Sequence, residues 1–302
     1  MAGTTSASIE QLYSDINADL IPYFSDAVLL PNQQIILNSY SIAGQSGDTL
    51  RIPLTNSYED AVAVPEGNSI IAESGAISNF APTAANIAVS KRGIATDVST
   101  EALEDGSMDV VRQAVLRRLS GGLAQATDKA GFAVAKAGFT TFVDTGEADT
   151  TAGSVLNFVM SPEGLAYAAK REPGVSMWFN PDKDVHEMRG TVRNGFATLR
   201  ANFGQKISSN ATIGAGTANL VAVSKGVANL RSANAPTMDG GYYVSIISPA
   251  LEFAIQQQIA LAGGTTIGSL SDVGNRALLQ GLVGQAAGCL FFRSNNLPTN
   301  EA

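Results

Sequence analysis

The chain has 302 residues, 45% of them apolar and only 15% charged, with a net charge of −8 and a pI near 4.7. That length can bury a large core, and the acidic balance without any run of Lys and Arg excludes a broad nucleic-acid clamp. Little charge is left to spread over an exposed surface, which favours a protein whose faces are covered by partners.

The charge is unevenly placed. Residues 1–90 hold nine acids and one base, Arg51, whereas residues 91–302 hold eighteen of each, an asymmetry that points to a partner. Cys289 is the single cysteine, so no intrachain disulfide framework or cysteine-based zinc site is expected, and a reducing cytoplasm suits synthesis. MAGTTSASIE has neither the basic start nor the apolar core of a signal peptide, and no apolar run approaches the roughly 18 residues of a membrane span. A soluble protein without a classical export signal is expected.

In chain order, residues 1–40 carry short apolar patches separated by Pro22 and Pro31 and read as an extended arm with a short helix. Residues 48–55 and 84–98 read as two strands. The irregular connection between them, rich in Gly, Ser, Asn and Pro, predicts a protruding ribbon. STEALED (99–105) reads as a short helix closed by Gly106. From Met108 to about Ala137 apolar residues recur at helical spacing (Val111, Val115, Leu119, Leu123, Ala126, Ala130, Val134), which predicts a helix roughly 45 Å long that Gly121-Gly122 could bend. Ser161-Pro162 and Ser248-Pro249 read as two further helix starts, the first running to Lys170-Arg171 and the second to Gly263-Gly264. Residues 241–247 and 288–294 read as buried strands. Helices and strands in irregular order make an α+β chain.

The chemistry of catalysis is missing. His186 is the only histidine, and HEMRG lacks the second histidine of a zinc-protease motif, so it reads as a surface or packing residue. AGQSGD around Ser46 lacks nucleophile-elbow spacing. GAGTAN (214–219) lacks the third glycine of a dinucleotide fingerprint and no helical pattern is read after it, so it is taken as a loop. Glu59-Asp60 and Glu104-Asp105 are sequence neighbours, which in a strand face opposite sides. No catalytic, cofactor-binding or metal-binding residue is assigned, no cofactor is expected, and the reading is of a protein that is not an enzyme.

The order of elements, with SGDTLRIPL (46–54), VPEGNSI (64–70), GIATDVSTEALED (93–105), ANLRSANAPTMDGGYYVSIISPALEFAIQ (228–256) and LLQGLVGQAAGCLFFRSNNLP (278–298), resembles the major capsid proteins of tailed bacteriophages. The resemblance is to the Johnson or Hong Kong 97-like fold, with Gly281, Gly284 and Gly288 spaced as in its type-N4 branch. It implies an N-terminal arm (1–45), an extended loop or ribbon (46–98), a peripheral domain on a long spine helix (99–149), a central domain at the capsomer axis (150–265) whose residues 150–220 are enlarged or inserted, and a C-terminal return (266–302). It also implies an icosahedral shell of hexamers and pentamers around double-stranded DNA. The partners implied are a separately encoded scaffolding protein, a portal, a cement protein as a further candidate, and DNA touched weakly and without sequence specificity. The product would be a virion component made in a bacterial cytoplasm, without membrane contact.

Some members of this fold weld neighbours through a lysine on the extended loop. Here the earliest lysine is Lys91, outside the loop tip, which implies a non-covalent shell. Asp48, Glu59, Asp60, Glu66 and Glu73 of the ribbon, and Arg112, Arg117 and Arg118 of the spine helix, are the candidate intersubunit contacts. An encapsulin-like cellular compartment is the alternative, and a soluble enzyme of unrecognised class the less favoured one.

Overall fold

The computed structural model describes residues 6–31, 35–36, 38–54, 66, 83–101, 108–143, 153–214, 218–238, 240–262 and 284–299. Glu59, Asp60, Glu73 and residues 102–105 of the expected short helix lie outside them, as does the tip of the ribbon.

Helix α1 spans Ser6–Ala27 and α2 spans Met108–Gly138. The arm therefore begins as a 22-residue helix where an extended arm with a short helix was expected. The reason is a stripe of Leu12, Ile16, Leu20 and Phe24, all buried at i, i+4 spacing against Val115, Leu116, Leu119 and Leu123 of α2. That packing outweighs the backbone bond lost at Pro22, which lies inside α1. Helix α2 runs unbroken through Gly121-Gly122, and at Gly122 a Cβ would stand 2.5 Å from Ile94 Cδ1. This glycine serves close packing, not a bend.

The strands among the described residues form three sheets, two of which pack on the long helix. Strands β1 (Asn38–Ser41), β4 (Ser90–Ser99), β7 (Leu165–Asn180) and β8 (Val185–Thr198) form the first, in the order β1-β7-β8-β4. Strands β2 (Thr49–Leu54) and β3 (Thr83–Ala88) pair antiparallel as the base of the ribbon. Val89 separates β3 from β4, so the expected single strand 84–98 serves two sheets. The third sheet contains β5 (Thr141–Phe142), β6 (Val155–Met160), β9 (Gly204–Ser209), β10 (Tyr243–Ile247), β11 (Gln285–Ala286) and β12 (Cys289–Arg293), ordered β11-β12-β10-β6-β9-β5.

The helix expected after Ser161-Pro162 is instead strand β7. Leu165, Ala166, Tyr167 and Ala168 are consecutively buried between β1 and β8, a pattern suited to a strand covered on both faces and unlike a one-sided helix. Register shifts around Lys170 to Gly174 let the ladder pass Pro173, which has no N–H to donate.

Helix α3 (Leu220–Ser232) follows GAGTAN directly, against the expectation of no helix there. Asn219 caps it, its side chain accepting from the Val221 N–H. Helix α4 spans Pro249–Ala262, as the second Ser-Pro start predicts.

The third sheet is covered on both faces with strand periodicity. Leu156, Phe158, Val244 and Ile246 face Phe132 of α2 and Phe139 just after its end, while Val159, Ile207, Tyr243 and Ile247 face Val223, Val227 and Leu230 of α3 and Leu251 and Ile255 of α4. Helix α2 thus packs on the first sheet along most of its length, as far as Thr198 of β8 beside Gly138, and its second half packs on the third sheet as well.

Candidate intersubunit contact surfaces

Asp48 sits at the entry to the ribbon, just before β2. Its Oδ1 lies 2.7 Å from Lys170 Nζ of β7 and 2.7 Å from Arg193 Nη2 of β8. The Lys170 hydrogen bond, aided by Arg193, holds the Asp48 carboxyl below its ordinary value. The neighbouring Val89 N–H donates to the Asp48 carbonyl at 2.8 Å. One residue therefore ties the ribbon base to both central strands of the first sheet.

Arg112, in the first turns of α2, pairs with Asp19 and, at 3.6 Å, with Asp15 of α1. Asp15 and Asp19 are four apart and so share a helix face. The hydrogen bond to Asp19 raises the Arg112 pKa further. For Asp48 and Arg112, then, counter-charges lie within the same chain. Sequence reading missed Lys170, Arg193, Asp15 and Asp19. Only the i, i+4 acids on an amphipathic stretch left a local signal.

Arg117 and Arg118 are different. Both are exposed on α2 and make no ion pair among the described residues. Between Arg112 and Lys136 the helix has one acid, Asp128, which is buried and held by the backbone amides of Leu29 and Leu30. With Lys129, also exposed, they make a basic strip on an acidic protein. Glu66, in a turn, is exposed.

No constellation for chemistry accompanies these surfaces. His186 is buried with its ring 4.9 Å from that of Phe179 and its Nδ1 unpartnered, a packing position in β8. Among the described residues no three His, Cys, Asp or Glu side chains converge as a metal site, and no helix is long and apolar enough to cross a membrane. A cavity of about 380 Å³ beside the start of α4 is lined by residues such as Val155, Ile213, Ser248, Asn295 and Leu297, none ionisable.

No protein-family profile matches the sequence, and no curated protein matches it. Solved structures do. A capsid of bacteriophage JBD30 decorated with minor capsid protein trimers aligns over 90% of this chain and 92% of its own, with a TM-score of 0.50 and 13% identity. A second structure of the JBD30 capsid aligns over 75% of this chain and 82% of its own at a TM-score of 0.49 and 12% identity. A virus-like particle from Pyrococcus furiosus covers 65% of this chain and 98% of its own at a TM-score of 0.44 and 8% identity. The α+β arrangement of spine helix, ribbon base and two larger sheets is the Hong Kong 97-like capsid fold.

Proposed function

We propose that the chain is the major capsid protein of a tailed bacteriophage, a structural subunit that assembles into an icosahedral shell around double-stranded DNA. The observation that carries this reading is the alignment with the decorated JBD30 capsid, which runs over nine-tenths of both chains. The low charged fraction of 15% is consistent with a subunit that works by covering its faces with copies of itself.

Within the shell, residues 1–45 act as arm, 46–98 as the extended loop, 99–149 as the peripheral domain, 150–265 as the central domain and 266–302 as the return segment. The loop acids Glu59, Asp60, Glu66 and Glu73 meet Arg117 and Arg118 of an adjacent copy. Charge complementarity of this kind sets register and partner choice, while apolar burial supplies most of the association energy. The finer reading includes the type-N4 branch, a separate scaffolding protein, a portal, a cement protein, weak DNA contact and synthesis in the host cytoplasm.

The test is electron microscopy of the protein expressed alone and with its neighbouring genes, followed by a denaturing gel. Closed shells that need a helper for correct size, contain DNA in infected cells and run as 31 kDa monomers support the reading. Shells without DNA that enclose cellular protein select the compartment alternative, and a monomer that never assembles removes both.

A further inference from the structure

Asp128 lies in the second half of α2 and is 2% exposed. Its partners are two backbone groups of the turn that follows α1: Leu29 N–H donates to Oδ1 and Oδ2 at 3.1 Å each, and Leu30 N–H donates to Oδ1 at 3.0 Å. Leu30 is itself fully buried, packed with Phe132 and Phe196. The carboxyl is therefore the polar fastening between the end of the arm helix and the spine helix.

The fastening has no counter-charge. Of the charged groups on the elements packed nearby, Asp15 and Asp19 of α1 and Arg112 of α2 pair with one another, and Arg193 of β8 pairs with Asp48. Arg92 of β4 donates to Asn194 of β8. Asp26 and Lys129 are exposed, Lys91 is exposed on β4, and Arg189 of β8 pairs with Glu187. His186 of β8 packs on Phe179. None makes an ion pair with Asp128. A buried carboxylate without a cation is costly, and its charge favours a state in which it is returned to water.

The geometry also shows where a proton fits. Oδ1 alone accepts from both amides, whereas Oδ2 only shares that of Leu29. A proton on Oδ2 leaves each amide an acceptor while removing the buried charge.

We propose that Asp128 makes the grip on the arm helix proton-dependent: α1 is held more firmly against α2 when this carboxyl is protonated, and is poised to detach when it is ionised. This holds whatever assembly the chain enters. Burial pushes the Asp128 carboxyl up to about 6 against the two amides that lower it. The docked state thus binds the proton more tightly than the detached state, and the grip strengthens as the pH falls from 7 toward 4 and is weakest above about 6.

The experiment is hydrogen exchange on the full chain from pH 7 to pH 5, corrected for intrinsic exchange chemistry. Amides of α1, such as Ile16 and Leu20, are read against Val244 and Ile246 of β10. Relative protection of α1 should rise about tenfold over that range, and the rise should vanish in Asp128→Asn, which keeps a carbonyl acceptor and cannot ionise. Titration of every other group survives in that variant. A flat or reversed wild-type profile, or the same rise in Asp128→Asn, overturns the proposal. If Asp128→Asn does not fold, Asp128→Ser, whose hydroxyl oxygen also accepts, replaces it under the same criteria.

Discussion

Asp48 Oδ1 and Lys170 Nζ stand 2.7 Å apart although 122 residues separate them. Arg193 shares the same oxygen, so replacing Asp48 by Asn leaves two cations facing a neutral amide at the foot of the ribbon. Trypsin cleavage after Arg51, which is exposed on β2, should accelerate by a factor of a few in Asp48→Asn, and less so at high salt, where the repulsion is screened. Because the Asp48 carboxyl titrates below its ordinary value of 3.8, the tie is present above that pH and is lost as the pH falls through the lower, folded-state value. Equal cleavage rates at every ionic strength would show that the ribbon base is held by packing alone.

Two glycines predict opposite outcomes for one substitution. Gly121 lies in α2, and a methyl group added there would meet nothing within 4 Å, so Gly121→Ala should stabilise by about 0.5–1 kcal/mol through reduced unfolded-state freedom. At Gly195 in β8 the same methyl would collide with the Ala88 carbonyl oxygen. Gly195→Ala must push the ribbon base off β8 and should cost about 1–3 kcal/mol. Urea unfolding of both variants checks the pair, and the same sign for both would contradict it.

Cys289 is fully buried at the start of β12, where burial pushes its thiol up to about 12. Neither thiolate nor access is available in the folded chain. Alkylation by iodoacetamide at pH 8 should therefore follow the unfolding transition in urea, with negligible labelling below it. Rapid labelling of the native protein would mean that the β10–β12 edge opens locally.

Arg117→Glu with Arg118→Glu should leave the subunit folded, since neither side chain pairs among the described residues, and should impair assembly. Exposed ion pairs contribute only about 0–1 kcal/mol each, but each subunit of a shell repeats the contact and reversed charges repel. The assembled fraction by sedimentation should fall most at low salt and recover as salt rises, with circular dichroism unchanged. Reversing the loop acids to Lys in the same chain should restore it. Normal assembly at every salt concentration would assign the basic strip to solvent or another partner.

The spine helix was readable because its apolar residues keep one period over 31 residues, and strands β10 and β12 because their runs are short, apolar and glycine-bounded. The two Ser-Pro starts show where local reading ends. After Pro249 the buried residues Leu251 and Ile255 are four apart, whereas after Pro162 Leu165 to Ala168 are buried in succession, and the alanines of this segment favour a helix that tertiary burial overrides. Pro22 hid a stripe that was visible at i, i+4. Of the candidate contacts, the partners of Asp48 could not be read because they come from strands that only the fold brings beside the ribbon.

The links between the first and third sheets have a mechanical meaning. The chain leaves β6 for β7 through residues 161–164 and returns from β8 to β9 through residues 199–203. These two short straps bind each other: Leu199 N–H donates to the Gly164 carbonyl and Ser161 N–H to the Phe203 carbonyl, at 3.0 and 2.9 Å. Two sheets joined by a doubled, hydrogen-bonded strap and by one continuous helix resist sliding past each other and yield more readily to torsion about the strap. The ribbon base, packed on β8, therefore has a short covalent path through this strap into β9 of the other sheet.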